Sequence, residues 1–153
     1  MKEVEGDLIK KAMNGEFDII VHGCNCFHTM GAGIAKQIRE IFPEAYEADI
    51  NFMPRGSKDM LGHISTVTVN RNNQKFIIVN AYTQYDFSGG IDVDYEALKT
   101  AFFEVAMMAR GRNLRIGYPL IGCGLAGGDW NRVSNIIETE LYGMDHTLVR
   151  YKA

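Results

Sequence analysis

The sequence predicts a layered α/β fold built around a mixed, largely parallel β-sheet. Two observations support this prediction. Short runs of β-branched and aromatic residues alternate with helical patterns along the chain, and residues 17–23 are apolar almost throughout, as expected of a central strand covered on both faces. Because the 153 residues contain no linker-like or repetitive stretch, we expect a single domain over residues 1–153.

The first third of the chain predicts one strand and three helical segments besides this central strand. Residues 2–6 predict the first strand, and Asp7 is a natural cap for a short helix that ends at Gly15. After the central strand, residues 33–42 and 43–52 both have helical patterns. The second segment starts with a proline, which suits the first position of a helix.

The middle of the chain predicts a strand pair followed by a long helix. Residues 63–69 and 75–83 are strand-like and flank the polar residues 71–74, so we expect a hairpin or meander there. From about Asp94 onward, apolar residues recur at spacings of three and four. This periodicity indicates a helix with one buried stripe.

The last third of the chain predicts a strand over residues 114–122, a helix over residues 129–141 and a closing strand over residues 146–151. Two glycine-rich segments, residues 31–35 and 122–128, follow predicted strands. Ligands of α/β sheets bind beyond the carboxyl ends of the strands. We therefore expect both segments to meet on one rim of the sheet.

The composition argues against several classes of partner. The formal net charge is −3, so no general basic field would attract an acidic membrane or nucleic acid, and sequence-specific nucleic-acid binding is not expected. No stretch approaches the ~18 apolar residues of a membrane helix, and the N-terminus lacks the apolar region of a signal peptide. The three cysteines, an odd number, favour a reduced, cytoplasmic protein. Nothing indicates an obligate partner, so a monomer is expected.

Four possible metal ligands lie in the segment VHGCNCFHTMGAGIAKQI (residues 21–38): His22, Cys24, Cys26 and His28. Their spacing of two places them on one face of an extended strand. Such a strand would span roughly 20 Å, whereas zinc ligands lie roughly 2 Å from one ion, so no metal is predicted. The two cysteines form C-x-C rather than the redox motif C-x-x-C, and buried free cysteines commonly pack as small apolar residues.

The same segment fits the common nucleotide-binding motifs poorly. Gly31 and Gly33 give G-x-G, but Lys36 stands where the dinucleotide fingerprint has its third glycine. The acidic residues that follow lie in a helical pattern rather than at a strand end, and the G-K-[ST] of a P-loop is missing. No cofactor is therefore predicted, and a nicotinamide-dependent oxidoreductase is a disfavoured alternative.

A pair of phosphate-binding loops is the interpretation that remains. Residues 31–33 come directly before a predicted helix, whose free N–H groups and dipole would favour an anion. Four glycines within residues 122–128 lead in the same way into a helix capped near Asp129. Two facing groups of amide donors could hold a diphosphate without lysine or metal. Plain tight turns are the alternative for each loop.

The order of several motifs resembles that of macro domains, a family that binds ADP-ribose. The resemblance rests on EGDL, IIVHGCNCFHTMGAGIAKQI, VNAYTQ, YPLIGCGLAGGDW and the terminal TLVRY, which together cover nearly the whole chain. The element H-x-C-N-C is most similar to the branch that contains the fungal ADP-ribose 1''-phosphate phosphatase and the terminal ADP-ribose protein glycohydrolase. The resemblance implies a three-layer α/β/α macro-domain fold.

The resemblance also implies which residues bind the ligand. Asp7 would accept from the adenine amine while Leu8 offers its backbone, although Asp7 could equally be a plain helix cap. Asn25 would contact the distal ribose, which is the ribose beyond the diphosphate, and Tyr151 would lie near the adenine or else be a core residue. The full set is Asp7, Leu8, Asn25, Cys26, Met30, Gly31, Ala32, Gly33, Ile34, Ala35, Thr83, Gly122, Cys123, Gly124, Leu125, Ala126, Gly127 and Tyr151.

Departures from the family pattern narrow the expected chemistry. The glycohydrolase branch uses a lysine just after the fifth-strand region and an aspartate in the second loop, whereas this chain has Thr83-Gln84 and Ala126 at those places. The other hydrolytic class carries an acid soon after the first-loop glycines, and GAGIAKQI has none. Neither known machinery for removing ADP-ribose is therefore expected.

The remaining pattern is similar to the phosphatase. His22 matches the histidine of H-x-C-N-C and, titrating near neutrality, could act as nucleophile or general acid/base on a phosphate monoester. Asp129 could orient it or protonate the leaving alkoxide, Asn25 completes the predicted catalytic set, and His28 is a reserve candidate. A core role for His22 and helix capping by Asp129 are the alternatives.

The expected function is ADP-ribose binding with conversion of ADP-ribose 1''-phosphate to ADP-ribose and phosphate. One alternative is a non-catalytic reader of ADP-ribose or of ADP-ribosylated protein. Another is a hydrolase of O-acetyl-ADP-ribose or of other ADP-ribosyl groups.

Overall fold

The computed structural model describes residues 1–153. In chain order, the elements are β1 (Lys2–Gly6), α1 (Leu8–Met13), β2 (Ile19–Cys24), α2 (Gly33–Ile41), α3 (Pro43–Phe52), β3 (Ile64–Arg71), β4 (Gln74–Tyr82), α4 (Tyr95–Ala109), β5 (Arg115–Tyr118), α5 (Trp130–Glu140) and β6 (Asp145–Tyr151). A short 3₁₀ helix, Lys58–Met60, precedes β3. None of the helices combines the length and the apolar character that a membrane span requires.

All strands belong to one six-stranded sheet with the order β1-β6-β5-β2-β4-β3. The neighbouring strands are parallel except for β3 and β4, which form an antiparallel hairpin. The predicted mixed, largely parallel sheet and the predicted strand pair are therefore confirmed. Strand β2 lies inside the sheet between β5 and β4, which explains its nearly continuous apolar sequence.

Helices cover both faces of the sheet. Helices α1, α2 and α3 pack on one face in a core that includes Ile20 and Tyr82. Helices α4 and α5 pack on the other face in a core that includes Ile19 and Val21. Successive residues of β2 thus alternate between the two cores, as the pleat of a strand requires. This is the expected three-layer α/β/α arrangement.

Strand β5 is shorter than the sequence predicted. The strand expected over residues 114–122 spans only Arg115–Tyr118. Its continuation stops at Pro119, which has no N–H for a sheet hydrogen bond, and the Pro119 carbonyl instead accepts from the Ile121 N–H at 2.7 Å. The residues after Tyr118 therefore form a loop at the edge of the sheet.

The hairpin between β3 and β4 turns through two asparagines. Arg71 pairs with Gln74, and Asn72 and Asn73 between them have φ values of 53° and 60°. Left-handed conformation at both central residues is typical of a type I′ turn, whose twist matches that of the flanking strands.

We predict that Asn73→Ala lowers the free energy of unfolding by about 1–2 kcal/mol, because alanine is strained in this left-handed conformation. Asn73→Gly is the matched control and should leave stability unchanged or slightly higher. Urea denaturation of the three proteins measures the difference. Equal stabilities of the alanine and glycine variants would contradict the turn.

Candidate functional site

A cleft of about 680 Å³ lies at the carboxyl edge of the sheet. Its walls are the segments that follow β2, β4 and β5, together with the last residues of β6. Residues 31–35 and 122–126 both line it, so the prediction that the two glycine-rich segments meet on one rim is confirmed. The volume falls in the range of small-molecule sites, about 300–1,000 Å³.

Helix α2 begins at this cleft without a side-chain cap. Helices α1, α4 and α5 are each capped by an aspartate side chain, whereas the cap residue of α2 is Ala32. The first helical hydrogen bond runs from the Lys36 N–H to the Ala32 carbonyl. The amides of Gly33, Ile34 and Ala35 are therefore free donors, and all three residues line the cleft.

The second glycine-rich segment also presents unpaired amides. The N–H groups of Gly124, Leu125 and Ala126 donate no hydrogen bond within the chain. The loop is closed behind them by a bond of 2.6 Å from the Gly128 N–H to the Gly122 carbonyl. An added Cβ at Gly128 would lie 2.5 Å from that carbonyl oxygen, so this turn requires glycine.

No cationic side chain lines the cleft. Its lining contains no lysine, arginine or histidine, and Asp92 is its only carboxylate. Nowhere in the chain do three histidine, cysteine, aspartate or glutamate side chains converge as a metal site would require. An anionic ligand in the cleft would therefore be bound by amide dipoles and by the N-terminal end of α2.

The two ends of the cleft differ in polarity. Val149 and Tyr151 of β6 line one end, whereas Asn25, which follows β2, and Gln84, Phe87 and Asp92, which follow β4, line the other. Because β5 and β2 lie between β6 and β4 in the sheet, the two glycine-rich segments lie between these ends. The cleft thus has an aromatic end at β6, an amide-lined middle and an end at β4 that is polar apart from Phe87, which we call the polar end.

Comparison with known proteins identifies the family. The family model described as "Macro domain" matches residues 21–137. A 17.5 kDa protein from the tk-vs intergenic region of enterobacteria phage T4 is 34% identical to this chain over 141 residues, which cover 91% of this chain and 88% of the phage protein. The chain is a macro domain.

Solved structures share the fold of this macro domain. A macrodomain protein from Streptomyces coelicolor superposes with a TM-score of 0.77 at 27% identity, over 99% of this chain and 98% of that one. Thermosipho africanus DarTG in complex with ADP-ribose superposes with a TM-score of 0.70 at 15% identity, over 98% of this chain and 42% of DarTG. Membership of the fungal phosphatase branch stays a prediction.

Most of the predicted ligand-binding residues of this macro domain line the cleft. These residues are Asn25, Met30, Gly31, Ala32, Gly33, Ile34, Ala35, Gly122, Cys123, Gly124, Leu125, Ala126 and Tyr151. Tyr151 is 70% exposed, so the alternative of a core tyrosine on the last strand is wrong. The side chain of Asn25 is held within its own loop, where it donates to the Thr29 hydroxyl at 2.7 Å and accepts from the Phe27 N–H at 2.8 Å.

Asp7 and Leu8 do not line the cleft. Asp7 caps helix α1, where its carboxylate accepts from the Lys10 N–H at 3.0 Å, and Leu8 is buried in the core. Asp7 follows Gly6, which pairs with Tyr151 in the sheet. Its position is therefore beside the aromatic end of the cleft, and its observed contact is the capping role that the sequence left open.

Cys26, Thr83 and Gly127 also lie outside the cleft lining. Cys26 is fully buried, its thiol contacts the Gln84 carbonyl at 3.5 Å, and burial raises the pKa of this thiol to about 11. Thr83 is fully buried with no hydrogen-bond partner for its hydroxyl. Gly127 packs against the Gly90 carbonyl.

The structure does not place His22 in the cleft. His22 is fully buried on the α3 face of β2, where its Nε2 donates to Asn80 Oδ1 at 2.6 Å. The Asn80 amide nitrogen donates to the Ala45 carbonyl and to Ser65 Oγ, which fixes Oδ1 as the acceptor. Burial lowers the pKa of His22 to about 4, so the expectation that it titrates near neutrality is wrong.

The other histidine and the acid of the predicted catalytic set also lie outside the cleft. Asp129 is exposed and caps α5, accepting from the Asn131 N–H at 3.0 Å. His28 is directed toward α3, with Nδ1 3.0 Å from Asp49 Oδ1 and Nε2 2.8 Å from the Met53 carbonyl. Of the predicted catalytic residues, only Asn25 lines the cleft.

Sequence reasoning missed the residues after β4. Gln84, Phe87 and Asp92 line the cleft but were not among the predicted binding residues. The usable signal was the carboxyl end of the predicted strand at residues 75–83, because ligands contact the segments that follow parallel strands.

We predict that His22 makes stability depend on pH below neutrality. Its folded pKa, about 4, is below the ordinary value near 6.5, so its contribution is complete above about pH 6.5. As the pH falls toward 4, the unfolded chain binds a proton that the folded chain excludes. The free energy of unfolding therefore decreases by up to about 3 kcal/mol.

The measurement is urea denaturation at about pH 7 and about pH 4.5 for the unmodified chain and for His22→Gln. Glutamine can donate to Asn80 but does not titrate, so the decrease between the two pH values should be smaller in this variant. Other titrating groups, including the buried His146, are shared by both proteins and cancel in the difference. Parallel pH profiles would contradict the prediction.

Proposed function

We propose that this macro domain binds ADP-ribose, with the diphosphate held between the two glycine-rich segments. The observation that carries the proposal is that two sets of free amides, at residues 33–35 and 124–126, belong to residues that line one cleft. This cleft has no cationic side chain in its lining. Amide donors and a helix N-terminus bind phosphate groups without a counter-charge. The similarity to a protein solved in complex with ADP-ribose supports the same ligand class.

The polarity of the cleft orients this ligand. An adenine ring gains most from the apolar and aromatic end formed by Val149 and Tyr151. The distal ribose, with its hydroxyl groups, gains most from the polar end near Asn25 and Gln84. A diphosphate between the two groups then meets the amide-lined middle.

The geometry supports binding more strongly than phosphatase activity. The phosphatase hypothesis assigns acid/base roles to His22 and Asp129, and neither residue lines the cleft. A reader of ADP-ribose or of ADP-ribosylated protein requires only the binding geometry. We therefore propose that the protein is a reader of ADP-ribose or of ADP-ribosylated protein. The substrate experiment below also tests the phosphatase and hydrolase hypotheses.

We predict that Ala32→Asp stabilises the fold and weakens ligand binding at least tenfold. Ala32 has the extended backbone of a helix cap, so aspartate there should raise the free energy of unfolding by about 1 kcal/mol. Its carboxylate would occupy the amides that the diphosphate needs and would repel the ligand. Calorimetric titration with ADP-ribose should show binding by the unmodified chain and at least tenfold weaker binding by the variant.

Ala32→Ser is the matched control for this substitution. Serine supplies the same cap without a charge, so it should stabilise the helix while weakening ADP-ribose binding less than aspartate does. Unchanged affinity in Ala32→Asp would contradict the position of the diphosphate at α2. Absence of ADP-ribose binding by the unmodified chain would contradict the proposed function itself.

A panel of substrates distinguishes the reader hypothesis from the phosphatase and hydrolase hypotheses. We expect no phosphate release from ADP-ribose 1''-phosphate, because neither His22 nor Asp129 lines the cleft. We also expect no cleavage of mono-ADP-ribosylated protein, because Thr83-Gln84 and Ala126 stand in place of the glycohydrolase lysine and aspartate. Cleavage of O-acetyl-ADP-ribose would instead support the hydrolase alternative. The measurements are phosphate detection and chromatography of the nucleotide products. Release that is lost in His22→Ala while ADP-ribose binding persists would instead establish the phosphatase.

A further inference from the structure

We propose that Asp92 determines which group this macro domain accepts at the polar end of its cleft. Asp92 would accept hydrogen bonds from hydroxyl groups of the distal ribose and, by its negative charge, disfavour ligands that carry a phosphate there. This inference rests on the proposed function, because it concerns one end of the same ligand. It goes beyond that function by assigning ligand selection to one side chain.

The backbone of Asp92 is fixed between two walls of the cleft. Its N–H donates to the Ala126 carbonyl of the second glycine-rich segment at 2.9 Å. The neighbouring Val93 pairs with Gln84 in an isolated bridge, and the Asp94 N–H donates to the Thr83 carbonyl at 2.8 Å. The loop that carries Asp92 is therefore anchored at the end of β4 and at the amide-lined middle of the cleft.

The side chain of Asp92 is held as a carboxylate with acceptor capacity to spare. Oδ1 accepts from the Ser88 hydroxyl at 2.5 Å, and Oδ2 accepts from the Gly89 N–H at 3.1 Å. Both bonds lower the pKa of Asp92, the Ser88 bond most strongly. A carboxylate offers about four acceptor positions, so roughly two remain for a ligand.

Loop closure alone does not explain a carboxylate at this place. Asp86 of the same loop accepts from the Phe87 N–H at 2.7 Å, and it does so without lining the cleft. Asp92 makes similar local bonds but lines the cleft, where it is the only carboxylate. Ligand hydroxyls are donors, and an acceptor-only group in the lining suits them.

The charge of Asp92 has no counterpart in the cleft. A ligand phosphate at the polar end would face this carboxylate with no lysine, arginine or histidine in the lining. Like charges repel each other, and the lining holds no cation that would offset this repulsion. A neutral ribose avoids this repulsion, so the polar end should favour ADP-ribose over ADP-ribose 1''-phosphate.

The experiment is calorimetric titration of three ligands, ADP-ribose, ADP and ADP-ribose 1''-phosphate, into the full chain and two variants. Asp92→Asn removes the charge and one acceptor oxygen with little change in shape. Asp86→Asn removes the same charge from the same loop away from the cleft. We expect Asp92→Asn to lower the affinity for ADP-ribose about five- to tenfold and to leave the affinity for ADP unchanged. The preference for ADP-ribose over its 1''-phosphate should fall at least fivefold.

Asp86→Asn should leave all three affinities within twofold of the unmodified chain. The inference is overturned if Asp92→Asn keeps both the ADP-ribose affinity and the preference over the 1''-phosphate. It is also overturned if Asp92→Asn lowers the affinity for ADP as much as the affinity for ADP-ribose, because Asp92 would then only hold the loop. Failure of the unmodified chain to bind ADP-ribose would instead contradict the proposed function, so the two failures are distinguishable.

Discussion

The capacity of the cleft to hold an anion depends on the free amide groups at the start of α2. In three helices of this chain an aspartate side chain accepts from one N–H of the first turn, whereas α2 begins after an alanine at the rim of the sheet. Unsatisfied helical donors favour an anion from outside the chain. The second glycine-rich segment adds free amide donors to the same cleft, so the middle of the cleft suits phosphate groups although the chain is acidic.

A buried polar network holds the first glycine-rich segment in place. His28, three residues before that segment, contacts Asp49 of α3 at 3.0 Å and the Met53 carbonyl at 2.8 Å. Asp49 also accepts from the Tyr82 hydroxyl at 2.8 Å, which connects α3 to the end of β4. Hydrogen bonds in the low-dielectric interior are costly to break. His28, the reserve candidate for catalysis in the sequence, therefore connects the segment after β2 to α3 instead of reaching the cleft.

Much of the fold follows from local patterns. The capping aspartates, the two asparagines of the hairpin turn and the apolar run of β2 act over a few residues, and each predicted its element. The two glycine-rich segments were predicted to share a rim because parallel strands end on one edge. The end of β5 was predicted wrongly, because its apolar continuation after Pro119 packs in a loop wall rather than in the sheet.

The sequence by itself determined the layered α/β architecture and the two amide-lined loops, because both depend on short-range periodicity and on glycine. Only the tertiary structure decided which side chains reach the cleft. The alternation within β2 places His22 under α3, whereas the bridge between Gln84 and Val93 brings Asp92 to the rim. Exposure at a strand end depends on which distant helices and loops cover it. That covering is a long-range property, and no pattern along the chain encodes it locally.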